Sequence, residues 1–150
     1  MEKKNIKEKH NIIVCNYNAP KDKFNRFGNY SYRSAEGITV GVKPWLTKTK
    51  TTIVMQSEIV EVGGRVYIKA TATLVDLESD DSISAVAYAR EAENKKGMDD
   101  SQITGSTHSY AIKYALGNLL LCGDEQDADA LNKHGKESHT KIKPTTEDII

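Results

Sequence analysis

Residues 52–77 read TIVMQSEIVEVGGRVYIKATATLVDL, and this stretch decides the fold. Two alternating runs, Thr52–Val62 and Arg65–Leu77, flank Gly63-Gly64. A two-residue Gly-Gly loop between such runs predicts a hairpin, because glycine supplies the positive φ that a primed turn needs. That turn puts Val62 opposite Arg65, Val60 opposite Tyr67 and Glu58 opposite Lys69. One face then carries Ile53, Met55, Ile59, Val66, Ile68, Ala70, Ala72 and Leu74. The other carries Arg65, Tyr67, Lys69, Thr71 and Thr73. A slip of one residue would invert both faces, so the pattern specifies the register. Asp80-Asp81 turns the chain into a third run, Ser82–Glu91. There Ile83, Ala85, Ala87 and Ala89 alternate with Ser84, Val86, Tyr88 and Arg90. The alanine row makes a shallow face that a helix can approach closely.

A helix follows. Asn94–Ser101 is a polar loop whose Asp99, Asp100 and Ser101 are helix-start signals. Ile112, Ala115, Leu116 and Leu119 form a core stripe, and Gly123 is a candidate stop. Upstream of the hairpin, residues 1–11 read as a weak or frayed helix. Ile12-Ile13-Val14 is a short apolar patch, and residues 16–23 read as a loop. Ser34 is a candidate N-cap with Glu36 in the first turn. Ala35, Ile38, Val42 and Leu46 then share one helical face. Gly37 and Gly41 weaken this helix, and Pro44 is expected to limit it. After Leu131 the chain is polar and aperiodic, and disorder is expected. The fold class is α+β: a helix, a three-stranded antiparallel meander, a helix and a disordered tail. One domain is expected over residues 1–131, with a flexible tail over 132–150.

The chain has 150 residues, enough for one core, and a hydrophobic share of 38%. It carries 21 Lys/Arg and 21 Asp/Glu. The distribution is uneven: residues 1–73 hold 13 Lys/Arg against 6 Asp/Glu, a net +7, and residues 74–150 hold 8 against 15, a net −7. Such asymmetry points to a nucleic-acid or membrane partner, or to plain scatter on a wet surface. No apolar run is long enough to span a membrane. The start is charged with only a short apolar patch, so no signal peptide is expected. Cys15 and Cys122 are then free thiols in a reducing compartment.

Three constellations carry candidate chemistry. On the polar face of the hairpin, Arg65, Tyr67 and Lys69 can be joined by Tyr88 and Arg90 from the third strand. Cations for phosphate and rings for bases are what single-stranded nucleic acid requires. The same face also reads as an ordinary wet sheet face, with Glu58 paired to Lys69. In residues 24–50, Arg26, Arg33, Lys43, Lys48 and Lys50 lie among Phe24, Phe27, Tyr30, Tyr32 and Trp45. Those rings suit a stacking groove, core packing or a subunit interface. Gly105-Ser106 near a helix start, with Lys113 two turns on, could meet a phosphate or simply pack closely. Asp124, Glu125, Asp127 and Asp129 offer oxygen ligands but lack the spacing of an EF-hand loop, so a solvated acidic run is the simpler reading. His108, His134 and His139 match no metal motif, and no P-loop is present. No metal, cofactor or catalytic residue is assigned.

Two blocks resemble a known family. Residues 105–131, GSTHSYAIKYALGNLLLCGDEQDADAL, have Gly-Ser, then Tyr, a basic residue, Tyr-Ala-Leu and an acidic tail. Residues 24–46, FNRFGNYSYRSAEGITVGVKPWL, have Phe-Gly, Tyr-x-Tyr-Arg-Ser and Lys-Pro-x-Leu elements. Both resemble the Erf (essential recombination function) family of bacteriophage single-strand annealing proteins. The resemblance implies a β-β-β-α core similar to the eukaryotic Rad fifty-two strand-annealing fold. It implies ATP-independent annealing of single-stranded DNA without catalysis or cofactor, by a ring or filament of identical subunits, in the cytoplasm of an infected bacterium. It favours DNA contacts at Arg26, Arg33, Lys43, Lys48, Lys50, Arg65, Tyr67, Lys69, Tyr88, Arg90, Ser106 and Lys113. Two other classes stay open. One is a metal-dependent nuclease using the Asp124–Asp129 cluster. The other is a small interaction protein whose acidic-then-apolar end, residues 145–150, recruits a host replication factor, in the manner of bacterial single-strand-binding proteins.

Overall fold

The computed structural model describes residues 2–122. The expected tail, the Asp124–Asp129 cluster and Gly123 lie outside the described residues. Three α-helices and five β-strands are present among the described residues: α1 (Ile6–Asn16), β1 (Lys23–Asn25), β2 (Tyr30–Tyr32), α2 (Ala35–Thr49), β3 (Thr51–Val62), β4 (Arg65–Asp76), β5 (Ser82–Arg90) and α3 (Asp100–Leu120). β3, β4 and β5 make an antiparallel meander, and β1 and β2 make a separate small hairpin.

The Gly63-Gly64 turn forms as expected, with φ of 59° and 75°. Both values need the freedom of glycine. It sets the predicted register: Val62 opposite Arg65, Val60 opposite Tyr67 and Glu58 opposite Lys69. β5 continues the pattern, with Ala87 opposite Ala70, Ala85 opposite Ala72, Tyr88 opposite Lys69 and Arg90 opposite Tyr67. Ala70, Ala72, Leu74 and Ala87 are buried, while Tyr88 is 55% exposed. α3 packs on this alanine face through Ala111, Ala115, Leu116, Leu119 and Leu120. Alanine on both surfaces leaves room for close helix–sheet approach. Asp99 caps α3, accepting from the Gln102 N–H while the Gln102 side chain accepts from the Asp99 N–H. α3 ends at Leu120 and is capped by Leu121, which takes the left-handed conformation at φ 53°, two residues before the expected glycine stop.

Upstream of the meander the structure departs from the sequence reading in three ways. Residues 1–11 were expected to be weakly helical, yet α1 is a full element closed by an Asn5/Glu8 capping box. Its Ile6 and Ile13 are buried in the common core. Its Lys9, only 3% exposed, meets Asp76 and Glu78 at 2.7 Å each. Residues 23–32 form the β1–β2 hairpin, with Asn25 opposite Tyr30. No alternating apolar pattern marks it, so it was not expected. Third, α2 starts at the predicted Ser34 cap but runs through Pro44 to Thr49. The carbonyl freed by Pro44 belongs to Val40, and both residues are exposed, so water can take the missing bond. Gly41 also has a role: a Cβ there would come within 2.6 Å of the Tyr17 hydroxyl, which donates to the Ile38 carbonyl at 3.0 Å.

Candidate nucleic-acid interface

The register places Arg65, Tyr67, Lys69, Tyr88 and Arg90 on the outer face of the meander, the face opposite α3. Cross-strand pairing sets Lys69 beside Tyr88 and Tyr67 beside Arg90. None of the five is buried. Lys69 is engaged: its Nζ lies 3.1 Å from Glu58 Oε1. The hydrogen bond that Lys69 donates to Glu58, helped by the Tyr88 and Glu58 charges, holds the Lys69 ammonium above its usual pKa. Arg65 and Arg90 come together at the hairpin end of the sheet, where Glu91, Glu93 and Asp100 also line the same depression.

β5 is the edge strand on one side, and α3 crosses beneath it. Between them runs a groove of about 580 Å³. Tyr88 and Arg90 line it from β5, Ser106, Tyr110 and Tyr114 from α3, and Lys95 from the loop between them. Tyr110 and Tyr114 are one helical turn apart and stack, with centroids 6.2 Å apart and planes at 27°. They are 48% and 44% exposed, so their outer faces meet solvent. Lys113 lies 5.4 Å from the Tyr110 ring centroid, 5.5 Å from that of Tyr114 and 5.6 Å from that of Tyr32. Tyr32 comes from β2 and meets Tyr30 edge-on at 6.2 Å. A cation and several aromatic rings are thus neighbours here, the two kinds of group that single-stranded nucleic acid calls for.

Tyr88, Arg90 and Ser106 therefore line one groove, Lys113 lies against its Tyr110 and Tyr114 rings, and Arg65, Tyr67 and Lys69 continue from Tyr88 and Arg90 over the outer sheet face. The remaining predicted residues fall elsewhere. Arg33 is buried at 4% exposure; its Nε donates to the Ala19 carbonyl at 2.6 Å and its Nη2 to Asn18 Oδ1 at 3.2 Å. It is a structural arginine that ties the 17–22 loop to α2, which corrects its expected place in the interface. Arg26 is exposed in the β1–β2 turn and Lys43 on α2. Lys48 sits 4.5 Å over the Trp45 ring, and Lys50 reaches Glu78 Oε1 at 3.4 Å. These last two line a separate depression with Lys3, Lys4 and Trp45.

The two sequence blocks that carried the family resemblance, residues 24–46 and 105–131, meet in space where Tyr32 faces Lys113. The sequence pattern of the ERF superfamily matches residues 5–149. This chain belongs to the ERF superfamily. It is 48% identical over 128 residues to the essential recombination function protein of Salmonella phage P22, covering 85% of this chain and 60% of that protein. The chain thus spans less than two thirds of that relative's length. No solved structure matches it.

Two features of this candidate interface escape the sequence pattern. Lys95 lies in a polar loop that reads only as a connector, and it reaches the groove because Gly97, at φ 81°, turns that loop. Tyr110 and Tyr114 read equally as packing or stacking residues; their exposure decides for availability. Among the described residues no group of three or more His, Cys, Asp or Glu could hold a metal ion, and no helix is long and apolar enough to cross a membrane.

Proposed function

We propose that this chain is a phage recombination protein that binds single-stranded DNA and anneals complementary strands without ATP. The observation that carries the proposal is the β5–α3 groove, where Tyr88, Tyr110 and Tyr114 line a track flanked by Arg90, Lys95 and Lys113. The backbone lies along the cations and some bases rest on the tyrosine faces. Phosphate contacts position the strand without reading it, which annealing of any sequence requires. Watson–Crick pairing with the second strand supplies the specificity. The protein neutralises charge and performs no bond chemistry.

Membership in the ERF superfamily and the likeness to a protein named for essential recombination function support this reading. The β-β-β-α order of β3, β4, β5 and α3 supports kinship with the Rad fifty-two strand-annealing fold. In this reading the protein works in the cytoplasm of an infected bacterium as a ring or filament of identical subunits, so that one track continues from copy to copy, with the host single-strand-binding protein as a candidate partner. The test is the rate at which two complementary oligonucleotides anneal, measured with nucleotide and divalent metal absent. Acceleration by the protein supports the proposal; acceleration only with ATP, or none, overturns it.

A further inference from the structure

Phe27 stands wholly exposed at the tip of the β1–β2 hairpin, and Phe24 beside it is 54% exposed. Leaving such a ring in water forgoes the stabilisation that its burial would bring. Yet the tip is built to hold it there. Asn25 Oδ1 accepts from the Phe27 N–H at 2.9 Å and from the Gly28 N–H at 3.1 Å, and Asn25 Nδ2 donates to the Tyr30 hydroxyl at 3.2 Å. A Cβ on Gly28 would collide with the Tyr30 ring at 2.2 Å. Lys23 and Arg26 are exposed around the two rings.

On the flank of α3 opposite the tyrosine groove lies a second, wider groove of about 940 Å³ between α3 and β3. Ile59 and Ile68 make its apolar wall, and Ile59 is 70% exposed although it points to the core side of the sheet. α3 contributes Gly105, beside which a Cβ would meet nothing within 4 Å, and His108, which bonds Ser57 Oγ at 3.1 Å. Glu58 and Asp100 stand on the rim.

We infer that the Phe27 hairpin of one copy docks into the β3–α3 groove of the next copy. An apolar knob flanked by Lys23 and Arg26 meets an apolar groove flanked by Glu58 and Asp100. The hairpin is tied to α3 at Lys113, while the groove begins at Asp100, about 20 Å away along the helix at 1.5 Å per residue. A knob and a groove at different places on one surface make a heterologous contact, which propagates from subunit to subunit into a ring or filament. The contact uses the flank of α3 that faces away from the tyrosine groove and borders the outer sheet face at Glu58. The inference rests on the assembly part of the function proposed above, and the test separates the two.

The experiment compares molecular mass by light scattering for the wild-type chain, Phe27→Asp and Gly105→Trp, with circular dichroism to verify folding. Both substitutions are at exposed positions, and Trp at 105 fills the groove. The wild-type chain is expected to assemble and each variant to be monomeric. Mixed in equal amounts, the variants are expected to form a dimer and stop, because the mixture holds one intact knob and one intact groove. A wild-type monomer at every concentration overturns the assembly reading itself. A wild-type oligomer with Phe27→Asp unchanged in mass overturns this interface alone. Phe27→Asp that still assembles but loses single-stranded DNA makes Phe27 a stacking residue and also overturns it.

Discussion

Glu58 and Lys69 face each other across β3 and β4, with Oε1 and Nζ 3.1 Å apart, so an acidic side chain already occupies a cation of the outer sheet face. Both are partly exposed, and the pair adds little to stability in that setting. Its consequence is for binding: a phosphate must displace Glu58 to reach Lys69. Glu58→Gln is expected to tighten binding to every single-stranded sequence about equally. It should also steepen the dependence of log K on log salt, by up to roughly 0.7 for one added phosphate contact. Salt-titrated fluorescence anisotropy checks this; weaker binding by Glu58→Gln would mean that Lys69 does not touch the strand.

Arg90→Ala, Lys95→Ala and Lys113→Ala are expected to weaken binding regardless of sequence, each flattening the salt dependence by roughly 0.7. Arg33→Ala should behave differently. Removing its bonds to Ala19 and Asn18 should cost about 1.5–3 kcal/mol of stability, the range for hydrogen bonds to a charged group. Among molecules that remain folded, the salt slope should be unchanged. Urea unfolding alongside the anisotropy titration distinguishes the two kinds of arginine and lysine.

That contrast marks how far the sequence could be read. The meander was legible because Gly63-Gly64 and strict alternation act together: a turn that allows one register meets a pattern that tolerates no slip. The face bearing Arg65, Tyr67, Lys69, Tyr88 and Arg90 follows from the same rule. Arg33 was not legible, since an arginine among tyrosines looks the same in sequence whether it meets a phosphate or the carbonyl of Ala19. α1 was underread because a lysine takes a buried place on it. Lys9 is accommodated by Asp76 and Glu78, 67 and 69 positions away. The β1–β2 hairpin has no apolar alternation because its outer residues, Phe24 and Phe27, are not packed against the chain's own core.

The Lys9 cluster predicts a pH dependence of stability. The hydrogen bond from Lys9 and the Glu78 backbone N–H pull Asp76 down to about 2, and Lys9 likewise lowers Glu78. Burial pulls the Lys9 ammonium down, but its hydrogen bonds to Asp76 and Glu78 outweigh this and leave it raised. Depressed carboxylates stabilise the fold fully above their ordinary values of 3.8 and 4.5, and that stabilisation is lost as pH falls toward about 2. A raised lysine stabilises fully below 10.5 and stops doing so as pH rises through its folded value. The urea midpoint should therefore fall below pH 4.5 and again above 10.5. Asp76→Asn should lower the plateau and flatten the acid limb. Wild-type and Asp76→Asn curves that run parallel through the acid range would contradict this.

The central claim is that single-stranded DNA lies in the β5–α3 groove with bases on the exposed faces of Tyr110 and Tyr114. The most direct measurement is the affinity of a labelled oligonucleotide for Tyr110→Ala and Tyr114→Ala over a range of salt concentrations, with folding verified by circular dichroism. Loss of a stacking ring should cost on the order of 1–3 kcal/mol per base while leaving the salt slope in place. If both variants fold and bind with wild-type affinity at every salt concentration, the strand does not run through this groove.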